Sequence, residues 1–360
     1  MIRIDELYYN IIVPRVQAKL AHGAHWFDPF GSVKFEDLCS VPPINSGHNS
    51  VRYLFWDQEP LHKELVDQTL IKFIDMFDQG QRHIITSEYN SANVDYVQRT
   101  YGFQPHYYFF HGWAALDWFR GYHRSFLMPK PQQRTISKTF IAPNRIIAGN
   151  REHRLLMLYH MFKHNLHDNW ISCPQTCPAE NISVYDAVTK LKHIYPDIES
   201  VFAQTNFPKC FPGESNSPMH SYQLSLFDEC AESLLYVVTE TVADGVRQHL
   251  TEKTFKPICL NMPFVIVGTA GSLEYIRRYG FKTFGDLWDE SYDHEINNVA
   301  RIQKIGQLLK ELDQLSQQEK QLLFRHASEI SQHNFDHFYG GGFEQILWTE
   351  LTGMLEGMGV

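Results

Sequence analysis

Short β-branched or aromatic runs recur along this chain, and each is followed by a polar turn and then by a segment with helical spacing. The clearest are Val51-Arg-Tyr-Leu-Phe-Trp56, His83-Ile-Ile-Thr-Ser87, the run 105–110, Thr139-Phe-Ile-Ala142, Leu234-Leu-Tyr-Val-Val-Thr239 and Pro263-Phe-Val-Ile-Val267. Helical spacing follows at 61–77, where Leu65, Leu70, Phe73 and Phe77 recur, and again at 91–100, 151–163, 250–260 and 272–279. Strands that alternate with helices pair in parallel, because a parallel neighbour is reached only through a crossover long enough to hold a helix. The pattern predicts an α/β protein with mostly parallel sheets. Charged amphipathic helices are expected over 302–332, and a last helix after Gly340-Gly-Gly342. The stretch 167–221, rich in Pro, Asn, Ser and Cys, reads as loops with short helices.

A length of 360 residues is long for one such domain and comfortable for two. Between Met128 and Lys138 the composition turns to Pro, Gln, Arg and Ser without apolar periodicity, which marks a linker. The expected organisation is an α/β domain over 1–135, a second over 136–338, and a helix over 339–360 that packs back on the first. With 43% hydrophobic and 20% charged residues the chain has the composition of a soluble globular protein. A net charge of −9 argues against the overall basic field on which non-specific nucleic-acid binding relies. The six cysteines are scattered without the spacing of a disulfide scaffold, and Cys173-Pro-Gln-Thr-Cys177 lacks a second pair at zinc-site spacing. No uncharged stretch approaches the ~20 residues that span a bilayer, and the first residues carry charges where a signal peptide needs an apolar run. A cytoplasmic chain with no transmembrane segment, no metal and no cofactor is expected.

The densest chemistry lies in Val237-Val-Thr-Glu240, then Leu250-Thr-Glu-Lys-Thr-Phe-Lys-Pro257, then Asn261-Met-Pro-Phe-Val-Ile-Val-Gly268. Thr251 is placed to cap a helix whose first turn carries Glu252 and Lys253, so that backbone N–H groups, a hydroxyl and an ammonium converge. Glu252 suits the vicinal hydroxyls of a ribose, and Lys253 suits the charge that grows on a departing diphosphate. In the first half, Asp57-Gln-Glu-Pro60 follows a strand and Ser87-Glu-Tyr-Asn90 follows the next, which brings Asp57, Glu59, Glu88 and Asn90 to the sheet edge where ligands of open α/β folds sit. His111 and Trp113 follow a third strand and are candidates to hold an acceptor. Gly268-Thr-Ala-Gly-Ser272 is a weaker, glycine-containing phosphate-loop pattern.

These residues resemble the donor-binding half of GT-B glycosyltransferases, most closely the fucosyltransferase-like families in which a Thr-Glu-Lys triplet opens a helix. The resemblance is strongest over 250–281. Phe140-Ile-Ala-Pro-Asn-Arg145 followed by Arg151 and Arg154 is similar to the family's strand, Asn-containing turn and arginine-bearing helix. It implies two Rossmann-like, doubly wound domains facing a cleft, with Asn144, Arg145, Arg154, Glu240, Thr251, Glu252 and Lys253 on a nucleotide-sugar donor. Arg154 is the first choice for the diphosphate and Arg145 the second. It further implies Glu59 as the base, with Asp57 as its competitor; Glu88, Asn90, His111 and Trp113, from their places after strands, are then the candidates for the acceptor. No Asp-x-Asp triplet is present to hold a metal on the diphosphate, so lysine and arginine would take that part. The expected activity is metal-independent, inverting transfer of a sugar from a GDP- or UDP-linked donor to a glycan or lipid-linked hydroxyl. A hydroxymethylated pyrimidine in DNA is the alternative acceptor. For it speak the basic residues Arg120, Arg124, Lys130 and Arg134, interleaved with Trp113, Trp118 and Tyr122. A non-catalytic nucleotide-binding or interaction module is the further alternative.

Overall fold

A computed structural model describes residues 6–12, 14–15, 25–26, 51–64, 66–67, 70, 81–121, 134–212 and 223–359. The expectations that fall on Cys39, Leu65, Tyr122, Arg124, Lys130 and the whole of 71–80 lie outside the described residues. The chain divides into two compact units. The first takes Met1–Phe126, Arg247–His249 and Phe343–Val360, and the second Leu127–Val246 and Leu250–Gly342.

The sheet of the first unit holds β1 (His25–Trp26), β2 (Val51–Trp56), β3 (Gln81–Thr86) and β4 (Phe103–Tyr107), all parallel and in that order. Leu54 stands opposite Ile84, and Ile84 opposite Pro105. Alternate residues of these strands, Leu54, Trp56, Ile84 and Phe103, close a core with Leu61, Val66, Leu70, Val94 and Val97. Helix α1 (Ala92–Tyr101) begins where the Ser91 hydroxyl accepts from the N–H groups of Asn93 and Val94, and it stops at Gly102, whose φ of +70° suits a residue with no Cβ. Ser91→Ala should cost about 1 kcal/mol, read as a fall of roughly 3 °C in melting temperature.

The run 105–110 does not stay a strand. Pro105 is tolerated because β4 is an edge strand among those described, but the Phe109 N–H donates to Glu350 Oε1 at 2.7 Å and helix α2 begins at Phe110 (Phe110–Gly121). The aromatic residues here serve helix packing. Phe343 and Leu347 of the C-terminal helix (Gly342–Gly357) lie so close to Gly112 that a Cβ there would be 2.8 Å from the Phe343 ring. Trp113 meets Trp348 edge to face at 4.7 Å.

The second sheet runs in the order β10-β9-β5-β6, again all parallel: β5 (Lys138–Ala142), β6 (Trp170–Ile171), β9 (Ser233–Thr239) and β10 (Phe264–Val267). A short antiparallel pair, β7 (Thr176–Cys177) and β8 (Ile182–Ser183), stands apart from it. Helix α3 (His153–Lys163) follows β5, and α4 (Val184–Thr189), α5 (Ile198–Ala203) and α6 (Phe227–Glu232) precede β9. Then come α7 (Glu252–Cys259), α8 (Ser272–Arg278), α9 (Asn298–Asp313) and α10 (Gln317–Tyr339). All seven residues of β9 are buried, which is why its sequence is almost continuously apolar instead of alternating. Chain order reverses between β5 and β9, since the chain leaves β5 for β6 on one side and returns to β9 on the other. The described strands of the first sheet follow chain order without such a reversal, so a doubly wound order is found in the second sheet alone among those described.

Arg301 is buried to 1% exposure and donates to the carbonyls of Gly268, Ala243, Glu295 and Ile296, tying α9 to the loops after β9 and β10. Among the described residues no helix is long and apolar enough to cross a membrane. Cys173, Cys177, Cys210, Cys230 and Cys259 form no disulfide.

Candidate functional site

The point where strand order reverses in an open parallel sheet leaves a crevice at the carboxyl ends of the two diverging strands. In the second unit those strands are β5 and β9, and the residues after them are Asn144 and Glu240. Asn144 laces the two ends together: its Oδ1 accepts from the Thr239 hydroxyl at 3.0 Å, its Nδ2 donates to Ala142 O, and its N–H donates to Ser172 Oγ. It is buried and used up by the fold. Arg145, the next residue, is exposed.

Glu240 is completely buried. Its Oε1 accepts from the Thr251 N–H at 3.0 Å and the Thr254 hydroxyl at 2.6 Å, and its Oε2 from the Thr241 N–H at 3.0 Å and the Thr251 hydroxyl at 2.6 Å. The carboxylate therefore holds the start of α7. Thr251 has the extended backbone of an N-cap, yet its hydroxyl makes no capping bond to the helix and donates to Glu240 instead. The expected side-chain cap is thus replaced by a carboxylate from the strand.

Lys253 sits just beyond. Its ammonium donates to Glu252 Oε1 at 2.8 Å and to the hydroxyls of Thr241 and Thr251 at 3.2 Å each, while 31% of the side chain remains exposed. Arg154, by contrast, is buried at 4% exposure. Its guanidinium donates to the carbonyls of Ile146, Thr239 and Glu240 at 2.8–3.1 Å. Burial pulls its pKa to about 10, so it stays charged at neutral pH. Its neighbour His153 donates from Nε2 to the Glu240 carbonyl at 2.9 Å, and burial, with Arg154 beside it, pushes that imidazole down to about 3. Of the two arginines named from the sequence, Arg145 is on the surface and Arg154 is a brace for the β9 exit. The cluster Glu240, Glu252, Lys253 and Arg154 balances two negative charges against two positive ones.

The Gly268–Ser272 turn is not open to phosphate. The N–H groups of Leu273 and Glu274 at the start of α8 already donate to the Asp293 carboxylate at 3.0 and 3.3 Å, which occupies the anion-favouring end of that helix.

In the first unit the carboxyl ends of β2, β3 and β4 gather a second polar cluster. Asp57 is buried to 1% exposure, its Oδ2 accepting from Tyr108 OH at 2.6 Å and its carbonyl from the Ser87 hydroxyl. Glu59 stays partly exposed two residues on. Glu88 is turned inward: it accepts from the Leu61 N–H at 2.5 Å and the Ser91 hydroxyl, and Arg247 approaches to 3.4 Å. Asn90 is exposed with φ of +53°, a left-handed conformation that asparagine adopts readily. His111 lies in the first turn of α2, not in a loop, and pairs through Nε2 with the Gln58 carbonyl at 3.0 Å. Trp113 is spent on packing against Trp348, at 1% exposure.

Sequence reading missed Arg247, Gln248 and His249. Gln248 exchanges two backbone hydrogen bonds with Tyr89 at 3.0 and 2.7 Å, Arg247 donates to Leu61 O, and the His249 ring meets His111 edge to face at 4.9 Å. Nothing local in the sequence signals this, since the partners are far apart in the chain. The basic groove expected for DNA has no support in the described residues: Arg120 is buried at 4% exposure and ion-paired with Glu344, and Arg134 donates to the Leu260 carbonyl. Comparison with protein-family models, with curated proteins and with solved structures finds no match.

Proposed function

We propose that the chain is a metal-independent, inverting glycosyltransferase of the GT-B kind that takes a sugar from a GDP- or UDP-linked donor to a hydroxyl of a glycan or lipid-linked acceptor. The observation that carries this reading is the β9 exit. There a part-exposed lysine and a carboxylate share the first turn of a helix, beside the strand-order reversal of a parallel sheet. Pairing of Glu252 with Lys253 leaves the two charges balanced. On this reading a nucleotide diphosphate draws Lys253 to its oxygens, and Glu252, relieved of its partner, takes the ribose hydroxyls. Asn144, Arg154 and Glu240 are then positioning residues, and Arg145 is the arginine with access to the donor.

In the first unit Glu59 suits the base better than Asp57, whose carboxylate is buried and receives the Tyr108 hydroxyl. The base removes the proton of the acceptor hydroxyl as that oxygen bonds to the anomeric carbon. The bond from that carbon to the diphosphate breaks, and Lys253 offsets the charge left on the leaving group. One displacement inverts the anomeric centre.

The test is calorimetric titration with nucleoside diphosphates and nucleotide sugars, without added metal. One nucleotide should bind, and Lys253→Ala should weaken it at least tenfold, about 1.4 kcal/mol, in a variant that still melts cooperatively, since Lys253 is part-exposed although its partner Glu252 is buried. If no nucleotide binds, the donor reading fails and a non-catalytic module takes its place.

A further inference from the structure

The second unit carries a groove that none of the roles above uses. It runs along one face of α9, where Ala300, Gln303, Gln307 and Glu311 succeed one another at helical spacing, and it encloses about 560 Å³, within the ~300–1,000 Å³ of small-molecule sites. The opposite wall is the last two turns of α3 together with Tyr195. His153 and Arg154 belong to the other end of α3, roughly 10 Å along the helix axis from His160 at ~1.5 Å per residue. The groove is therefore separate from the β9 exit.

The chemistry of its walls narrows the occupant. Lys163 is 3.0 Å from Asp197 and 2.6 Å from Tyr159 OH, and Lys304 is 3.0 Å from Glu295, so both cations have a counter-charge in place. Asp289 accepts from the N–H and hydroxyl of Ser291, and Glu311 from the Gln307 amide at 2.8 Å. His160 is held by burial down to about 4 and His164 is shifted in the same direction, so both rings are neutral at pH 7. A lining without surplus positive charge does not favour phosphates or nucleic acid, and one in which amides, phenols, imidazoles and paired charges surround only Ala300 and Leu308 as aliphatic side chains does not favour lipid. Those groups both donate and accept, as the hydroxyls of a polyol require. Tyr195 is braced by stacking on Tyr159 at 4.3 Å and by its hydroxyl against His160 Nε2 at 2.9 Å.

We propose that this groove binds a neutral saccharide. The inference rests on the groove alone and is independent of the nucleotide reading. Calorimetry of the full-length chain with maltotriose, cellotriose and chitotriose, beside glucose 6-phosphate, tests it. At least one trisaccharide should bind at a Kd of about 1 mM or tighter. Two variants on the exposed face of α9, Ala300→Trp, which fills the groove, and the double change Gln303→Ala with Gln307→Ala, should each weaken binding at least tenfold at unchanged melting temperature. Absence of binding by all three trisaccharides, binding that survives both variants, or a preference for the phosphorylated sugar would overturn the assignment.

Discussion

Glu240→Ala is expected to destabilise the second unit by about 3–5 kcal/mol, the range seen when one partner of a buried, hydrogen-bonded charge is removed. The carboxylate receives four donors, two backbone N–H groups and two hydroxyls, and no water reaches it in the native fold. Truncation leaves all four without their acceptor and takes from Arg154 the carboxylate that most favours its charge. Glu240→Gln should rescue only part of the loss, because the new amide presents two N–H groups where two donors already point. Thermal melts should show a drop of roughly 10 °C or more for the alanine variant at ~2–4 °C per kcal/mol. Glu252→Ala, which breaks a partly exposed pair, should cost under about 1 kcal/mol. A Glu240→Ala protein that melts within about 2 °C of the native one would remove the carboxylate from its structural role.

Acid should destabilise the protein through its buried histidines. His153 and His160 are buried and are held neutral, at about 3 and about 4, against an ordinary value near 6.5. His106, half-buried in β4, is pushed down to about 4 first by burial and then by His83, whose Nδ1 lies 2.7 Å from its Nε2. That bond needs one ring to donate and the other to accept, so a second proton breaks it. The unfolded chain binds protons on these rings below about pH 6.5 and the folded chain does not, so stability is complete above that pH and is lost as pH falls toward 4. By pH 5 His153 and His160 together should cost on the order of 4 kcal/mol, or about 10 °C in the melting temperature of the second unit. Asp197, held low by Tyr159 and Lys163, titrates below this window. His153→Gln keeps a donor toward the Glu240 carbonyl and should flatten the decline. A melting temperature that is constant between pH 7.5 and 5 would contradict the assignment.

Strand β9 and helix α7 were readable from local composition, because a β-branched run and a Thr-Glu-Lys helix start carry their own signals. The placement of single side chains was less so. Glu240 and Arg154 read in sequence as donor-binding charges, and only the meeting of β5, β9 and α7 shows one as a carboxylate cap and the other as a brace for carbonyls. His111 and Trp113 read as following a strand because the aromatic run before them suits one. The packing partner that turns it into a helix, with Phe343, Leu347 and Trp348, lies more than two hundred residues further on. Arg247 meets Leu61 across 186 residues and Glu88 across 159, and even the 20 residues between Asp293 and the start of α8 exceed what local composition reports. What sequence supplies is the order of elements; the direction in which each charge faces depends on pairings it does not contain.

The first unit is assembled from three stretches of chain, the last of them Phe343–Val360. Domains that are continuous in sequence can fold as they leave the ribosome, N-terminal first. Here Gly112 and Trp113 wait for Phe343 and Trp348, and Glu88 waits for Arg247, until the long stretches between them have been made. During synthesis the half that is made first is therefore the half that finishes last, and a nascent chain halted before residue 343 leaves the apolar face of α2 without its cover.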